Sequence, residues 1–142
     1  MNIAKLVETR SVDDIISCET SCTMRDAVTI LAEKRIGALP VMQDGEVVGI
    51  FSERDVIYRL ANEGAVCLDR KLGDVMTSPA ITTETSKKVD DALGLMTRRR
   101  IRHLPVVEKG RMCGFVSIGD LVKSRMDEVE QEAQAMREYI RT

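Results

Sequence analysis

Shifted by 65 positions, the chain lies on itself: Ile15–Leu60 aligns with Ala80–Arg125 without a gap, and 15 of the 46 pairs are identical. The identities come in runs, such as Glu19-Thr20-Ser21 with Glu84-Thr85-Ser86 and Leu39-Pro40-Val41 with Leu104-Pro105-Val106. An internal repeat constrains the fold before any local propensity does, because both copies must build the same supersecondary unit. A unit of roughly 60 residues is too small to bury a large core alone, so the two copies are expected to share one. With 44% hydrophobic residues, the 142-residue chain suits one domain made of two halves.

Each copy reads as strand, helix, hairpin, helix. In the first, Ile15-Ile16-Ser17 is expected as a short strand, and Thr23-Met24-Arg25-Asp26 places a capping box before a helix over Met24–Lys34. Ala27, Val28, Leu31 and Ala32 fall on one face of that helix and are expected to point into the core. Ala38–Met42 and Glu46–Phe51 flank an Asp44-Gly45 hairpin turn, and a helix over Glu53–Asn62 is stopped by Gly64. Ala65–Lys71 has no periodicity and reads as a connector. The second copy follows suit: a helical turn at Leu72–Met76, an extended Pro79-Ala80-Ile81-Thr82, a helix near Val89–Arg99, a hairpin turning at Lys109-Gly110, and a final helix.

Two segments flank the repeats. Ile3, Leu6 and Val7 predict a short amphipathic helix within Met1–Thr9, a lid or an interface piece. At the other end Val122, Met126, Val129, Ala133, Met136 and Ile140 are spaced as a heptad seam. That seam either packs back on its own domain or meets a second chain; the second reading is preferred, and a homodimer follows from it. The expected segments are an N-terminal helix (1–11), a first repeat (12–64), a connector (65–71), a second repeat (72–126) and a helical extension (127–142).

Candidate chemistry sits where each repeat's last strand gives way to a helix. Gly49-Ile50-Phe51-Ser52-Glu53-Arg54-Asp55 returns as Gly114-Phe115-Val116-Ser117-Ile118-Gly119-Asp120. Free N–H groups at a helix start, with a hydroxyl and a carboxylate three residues apart, can hold a phosphate and hydrogen-bond a sugar's hydroxyls. The same Ser and Asp can equally serve only as helix caps. Arg98, Arg99 and Arg100 suit the negative end of a helix, while Arg102 and His103, on the strand that follows, can face a bound phosphate.

Other chemistries find little support. A net charge of −2 gives no electrostatic case for nucleic acid, and two Phe, two Tyr and no Trp leave few stacking platforms. Cys18, Cys22, Cys67 and Cys113 lack paired two-residue spacing and His103 is the only histidine, so neither a zinc site nor a Ser/His/Asp triad is expected. There is no lysine-bearing phosphate loop. The chain is therefore not expected to be an enzyme, to require a cofactor or to bind a metal. No apolar run approaches the ~20 residues of a membrane span and Met1–Arg10 has no signal-peptide core, so a cytoplasmic location is expected.

In this repeated frame the chain resembles the cystathionine β-synthase (CBS) domain family, and within it the small stand-alone tandem pairs. The resemblance rests on Arg35-Ile36-Gly37-Ala38-Leu39-Pro40-Val41, Asp74-Val75-Met76-Thr77-Ser78-Pro79, Arg100-Ile101-Arg102-His103-Leu104-Pro105-Val106 and the two Gly-x-x-Ser-x-x-Asp stretches, over roughly residues 12–125. It implies a mixed α+β fold of two β-α-β-β-α units related by a pseudo-twofold axis, commonly as disc-shaped homodimers. It further implies a regulatory module whose clefts bind AMP, ADP or ATP, or else NAD or S-adenosylmethionine, and which acts on another protein. The alternative is a ligand-free dimerisation module.

Carried onto this chain, the resemblance implies one pocket of Ile50, Ser52, Arg54 and Asp55 with Thr77, Ala80, Ile81 and Thr82. There Asp55 would take the ribose hydroxyls, Ser52 and Thr77 would reach phosphate or ribose, and the Ala80-Ile81 backbone would read adenine. A second pocket would use Phe115, Ser117, Gly119 and Asp120 with Ile15, Ile16, Ser17, Ile36, Gly37 and Ala38. Arg102 and His103 would lie near both sets of phosphates. The first repeat departs from the pattern, having Ser11-Val12-Asp13-Asp14 where the second has Met76-Thr77-Ser78-Pro79. With no hydroxyl to match Thr77 and two added carboxylates, the second pocket is expected to be empty or to take a less phosphorylated ligand.

Overall fold

Local signals set the elements. In the computed structural model, which describes residues 1–141, the order is α1 (Ile3–Val7), β1 (Cys18–Glu19), α2 (Met24–Lys34), β2 (Ala38–Gln43), β3 (Glu46–Ser52) and α3 (Glu53–Glu63). The second half follows with α4 (Leu72–Val75), α5 (Val89–Arg99), β4 (His103–Glu108), β5 (Arg111–Ser117) and α6 (Ile118–Arg141). Thr23 accepts a hydrogen bond from the Asp26 N–H while Asp26 accepts one from the Thr23 N–H, which satisfies two of the orphan donors at the start of α2. Both hairpins turn through two residues with φ > 0, Asp44-Gly45 and Lys109-Gly110, as the tightest hairpin turn requires.

The two hairpins keep one register. Ala38 pairs with Ser52 and His103 with Ser117, each partner 65 positions from its counterpart, and both hairpins shift register in the middle, at Val41/Met42 and Val106/Val107. The strand expected at Ile15-Ile16-Ser17 forms instead at Cys18–Glu19, where Cys18 lies parallel to Val41 and buries its thiol. Ile15 and Ile16 stay half-buried outside the ladder because they line a cleft. In the second unit the corresponding strand shrinks to a single bridge, Thr83 with Val106. Ala32 is exposed, contrary to expectation: Met24, Ala27 and Leu31 already complete the buried stripe, and the next position turns toward solvent. The connector is not structureless either, since Ala65–Asp69 forms a 3-10 helix that buries Cys67.

The core also differs from the shared one expected from unit size. One cluster joins Met24, Leu31, Leu39, Val41 and Phe51 to Leu72 and Val75; the other joins Val89, Met96, Leu104, Val106, Val116 and Leu121 to Ile3 and Val7. Each unit completes its core with a helix that leads into the other unit. The exchange is symmetric in detail: Leu72 and Gly73 donate backbone N–H groups to the carbonyls of Cys22 and Thr20, and Ile3 and Ala4 do the same to Lys87 and Thr85. Gly49 and Gly114 admit this close packing, since a Cβ would come within 2.5 Å of the Met76 sulfur and 2.6 Å of a Val7 methyl, respectively. The partners α4 and α1 stand 69 positions apart while their docking sites stand 65 apart, so the pseudosymmetry extends four residues out of step beyond the aligned repeat. Strands β3 and β5 touch where the units meet, and a cleft opens on either side.

Candidate functional site

The larger cleft has a volume of about 690 Å³ and is floored by the start of α3. Ser52 caps that helix: its hydroxyl accepts from the Asp55 N–H at 3.3 Å, and Asp55 Oδ2 accepts from the Ser52 N–H at 2.9 Å. The remaining carboxylate oxygen, Oδ1, accepts from the Thr77 hydroxyl at 2.8 Å. Thr77 is held there by paired backbone bonds to Ile50, its N–H donating at 2.9 Å and its carbonyl accepting at 3.0 Å. A carboxylate offers about four lone-pair sites. The Ser52 hydroxyl also donates to Asp55 Oδ2 at 3.2 Å, so one site remains for a ligand hydroxyl. Pro79, Ala80 and Ile81 form one apolar wall, with Tyr58 and Ile57 opposite. Four arginines, Arg54, Arg99, Arg100 and Arg102, belong to the lining, against one acidic residue beside Asp55, Glu53. One of them, Arg54, donates to the Arg100 carbonyl at 2.9 Å.

The smaller cleft, about 280 Å³, is built on the start of α6. Ser117 and Asp120 repeat the reciprocal cap, with the Asp120 carboxylate accepting from the Ser117 N–H at 2.9 Å. Here, however, the outer side of the carboxylate is closed by Arg10, whose two terminal nitrogens donate at 3.0 and 3.2 Å. Burial works to raise the Asp120 pKa, but the Arg10 bond and the two Ser117 hydrogen bonds override it and hold the carboxyl below its usual range. Asp14 adds a second carboxylate to the lining. Arg10 occupies, toward Asp120, the place Thr77 occupies toward Asp55.

His103 and Ala38 line both clefts. The His103 ring stacks on Phe115 with centroids 5.5 Å apart, and burial pushes its pKa down, against the opposing pull of Asp120 and Glu53. Of the residues singled out in sequence, Ile50, Ser52, Arg54, Asp55, Thr77, Ala80, Ile81 and Arg102 line the large cleft, joined by Gly37. Ile15, Ile16, Ile36, Phe115, Ser117 and Asp120 line the small one. Thr82, Ser17 and Gly119 are exposed and belong to neither lining. Sequence reasoning passed over Arg10 and Tyr58, and it assigned Arg99 and Arg100, which line the large cleft, to the end of their helix. Arg10 escapes the repeat comparison at either offset, since 65 positions on stands Val75 and 69 positions on stands Pro79, neither of them a counterpart of Thr77. Among the described residues no group of three or more His, Cys, Asp or Glu side chains is placed to hold a metal, and no helix is long and apolar enough to cross a membrane.

The family model for the CBS domain matches twice, over residues 7–62 and 72–127. The chain belongs to the CBS domain family. Like this chain, the CBS domain-containing protein CBSX3 of Arabidopsis thaliana, a mitochondrial protein, carries the pattern: identity is 39% over 128 residues, or 87% of this chain. This chain spans 62% of that relative's length. Among solved structures, the CBS-domain containing protein ATU1752 from Agrobacterium tumefaciens superposes with a TM-score of 0.81 at 33% identity, covering 88% of this chain and 99% of that one. CBSX2, solved in complex with AMP, shares the fold at a TM-score of 0.75 and 24% identity, over 89% of this chain and 96% of that one. The tandem CBS architecture, with two mixed α+β units and a long C-terminal helix, is thus the fold of this chain.

Proposed function

We propose that the large cleft binds an adenosine nucleotide and that the chain is a regulatory CBS module, not an enzyme. The observation that carries this reading is the pairing, in one cleft, of a carboxylate able to accept from a ligand hydroxyl with an arginine-rich lining. In this reading Asp55 and Thr77 take the ribose, and Arg54, Arg99, Arg100 and Arg102 of the same lining meet the phosphates. Its volume of about 690 Å³ falls within the ~300–1,000 Å³ usual for small-molecule sites. Guanidinium groups suit phosphate oxygens, which favours AMP, ADP or ATP over S-adenosylmethionine, a ligand without phosphate; NAD keeps its pyrophosphate and stays a candidate. The AMP complex of CBSX2 supports the same ligand class.

In this reading the two clefts differ. The small cleft, with Asp120 bound to Arg10 and Asp14 on its wall, disfavours a highly phosphorylated ligand. Regulation then follows if the nucleotide binds two arrangements of the units with affinities differing by ~1–3 kcal/mol, the change being passed to an effector protein. The four free cysteines suit a reducing compartment, the cytoplasm in the first instance. A second reading is favoured by one observation: both Ser/Asp pairs form complete capping boxes without any ligand, as a purely structural dimerisation module would need.

Titration separates the two. AMP, ADP, ATP, NAD and S-adenosylmethionine are titrated by calorimetry and thermal shift into the native chain, Asp55→Ala and Asp120→Ala. A nucleotide at a hundred times its dissociation constant should add ~2.7 kcal/mol of stability to the native protein. Asp55→Ala should lose that gain and Asp120→Ala should keep most of it. Failure of all five ligands at millimolar concentration on folded, nucleotide-free protein would leave the dimerisation module.

A further inference from the structure

The C-terminal helix does more than close the second core. Its first part is anchored: Leu121 and Ser124 are buried, Glu128 meets the N-terminal ammonium at 3.3 Å, and Arg125 meets Asp90 and Glu128 at 3.5 and 3.4 Å. From Val129 to Arg141 every residue is exposed, so the helix runs on for ~20 Å clear of both cores. An isolated helix of that length is marginal in water and needs packing to persist. Its apolar seam is uncovered in the single chain, with Met126 65%, Val129 48%, Met136 62% and Ile140 75% exposed.

The charges beside the seam say what covers it. With Val122, Val129 and Met136 at d and Met126, Ala133 and Ile140 at a, the flanking g positions include Arg125 and Glu132, and the e positions include Glu130 and Arg137. In a parallel, in-register pair each g faces the e five residues further along the other helix. Glu132 then meets Arg137, twice by symmetry, and Glu130 faces Arg125, a cation held by Asp90 and Glu128 of its own chain, with no like charge opposed. In the antiparallel pair that overlaps the seam most fully, g faces g and e faces e. Glu132 would then oppose Glu132, Glu130 would oppose Glu130, and Lys123 would oppose Arg137. Arg137 also donates to Gln134 Oε1 of its own helix at 3.0 Å through one terminal nitrogen, and the residue is exposed.

We propose that α6 pairs with the α6 of a second copy of this chain as a parallel, in-register two-stranded coiled coil. The pairing holds both CBS bodies at the same end of the coil, whatever fills the clefts. The test is made on the full chain. Sedimentation at micromolar concentration should give twice the mass of one chain, and Val129→Glu/Met136→Glu should halve it without shifting the thermal unfolding of the body, because neither residue is in a core. Met126→Cys and Ile140→Cys, each alone under mild oxidation, should cross-link to themselves beyond the background of the native cysteines; in an antiparallel pair neither would. Glu132→Lys should raise the dimer dissociation constant several-fold, and Glu132→Lys/Arg137→Glu should restore it. A monomeric native chain, a dimer indifferent to the seam variants, or absence of both self-cross-links would each overturn the proposal.

Discussion

Arg10 and His103 owe their chemistry to surroundings that the neighbouring sequence does not announce. The Arg10–Asp120 pair is half-exposed on the arginine side, so breaking it costs at most ~1 kcal/mol of stability. Its electrostatic effect is easier to see: in Arg10→Met, Asp120 loses its two charged donors and its pKa should rise, read by carboxyl-carbon NMR titration. An unchanged titration would show that the Ser117 cap alone holds the carboxyl down. His103 is held neutral chiefly by burial, so its folded pKa lies below the ordinary 6.5. As pH falls below 6.5 the unfolded chain takes up this proton first. Stability is therefore full above that value and declines as pH drops toward the folded pKa. Denaturant melts of the native chain and His103→Gln between pH 5 and 7 should show that slope in the first and its loss in the second.

Among the elements, β3 carries the tightest constraint. A methyl on Gly49 would sit 2.5 Å from the Met76 sulfur and 2.8 Å from the Thr77 carbonyl, the group that fixes Thr77 beside Asp55. Gly49→Ala should cost ~1–3 kcal/mol in chemical denaturation and weaken any ligand of the large cleft, since backbone cannot move aside as a flexible side chain does. Elements of this kind were readable where the signal was local. The α2 capping box, the Asp44-Gly45 and Lys109-Gly110 turns and the Met24–Lys34 and Val89–Arg99 helices each depend on residues a few positions apart. Where partners lie far along the chain the reading fell short. The first strand begins at Cys18 because Val41 pairs there, and Ile15 and Ile16 are taken by a cleft. The candidate site divides in the same way: both Ser/Asp pairs stood out by repetition, whereas Arg10 meets Asp120 across 110 positions, with no periodicity to announce it.

At the scale of the whole molecule, each of the two cores is completed by an exchanged helix. Ile3 is fully buried among Val89, Val106 and their neighbours, so Ile3→Ala should remove ~2–5 kcal/mol. Hydrogen exchange should locate the loss in β4 and β5 and leave β2 and β3 largely protected; loss in both hairpins would mean the units unfold as one. The exchange is unequal in time. On the ribosome the first core is complete once α4 has emerged, shortly after the strands it covers, because Leu72 follows Phe51 closely along the chain. The second cannot close until β5 and the start of α6, which carries Leu121, have been made, although its covering helix precedes both repeats. Until then Ile3 and Val7 have no native seat, and their apolar face is open to a chaperone for as long as the second unit takes to be made.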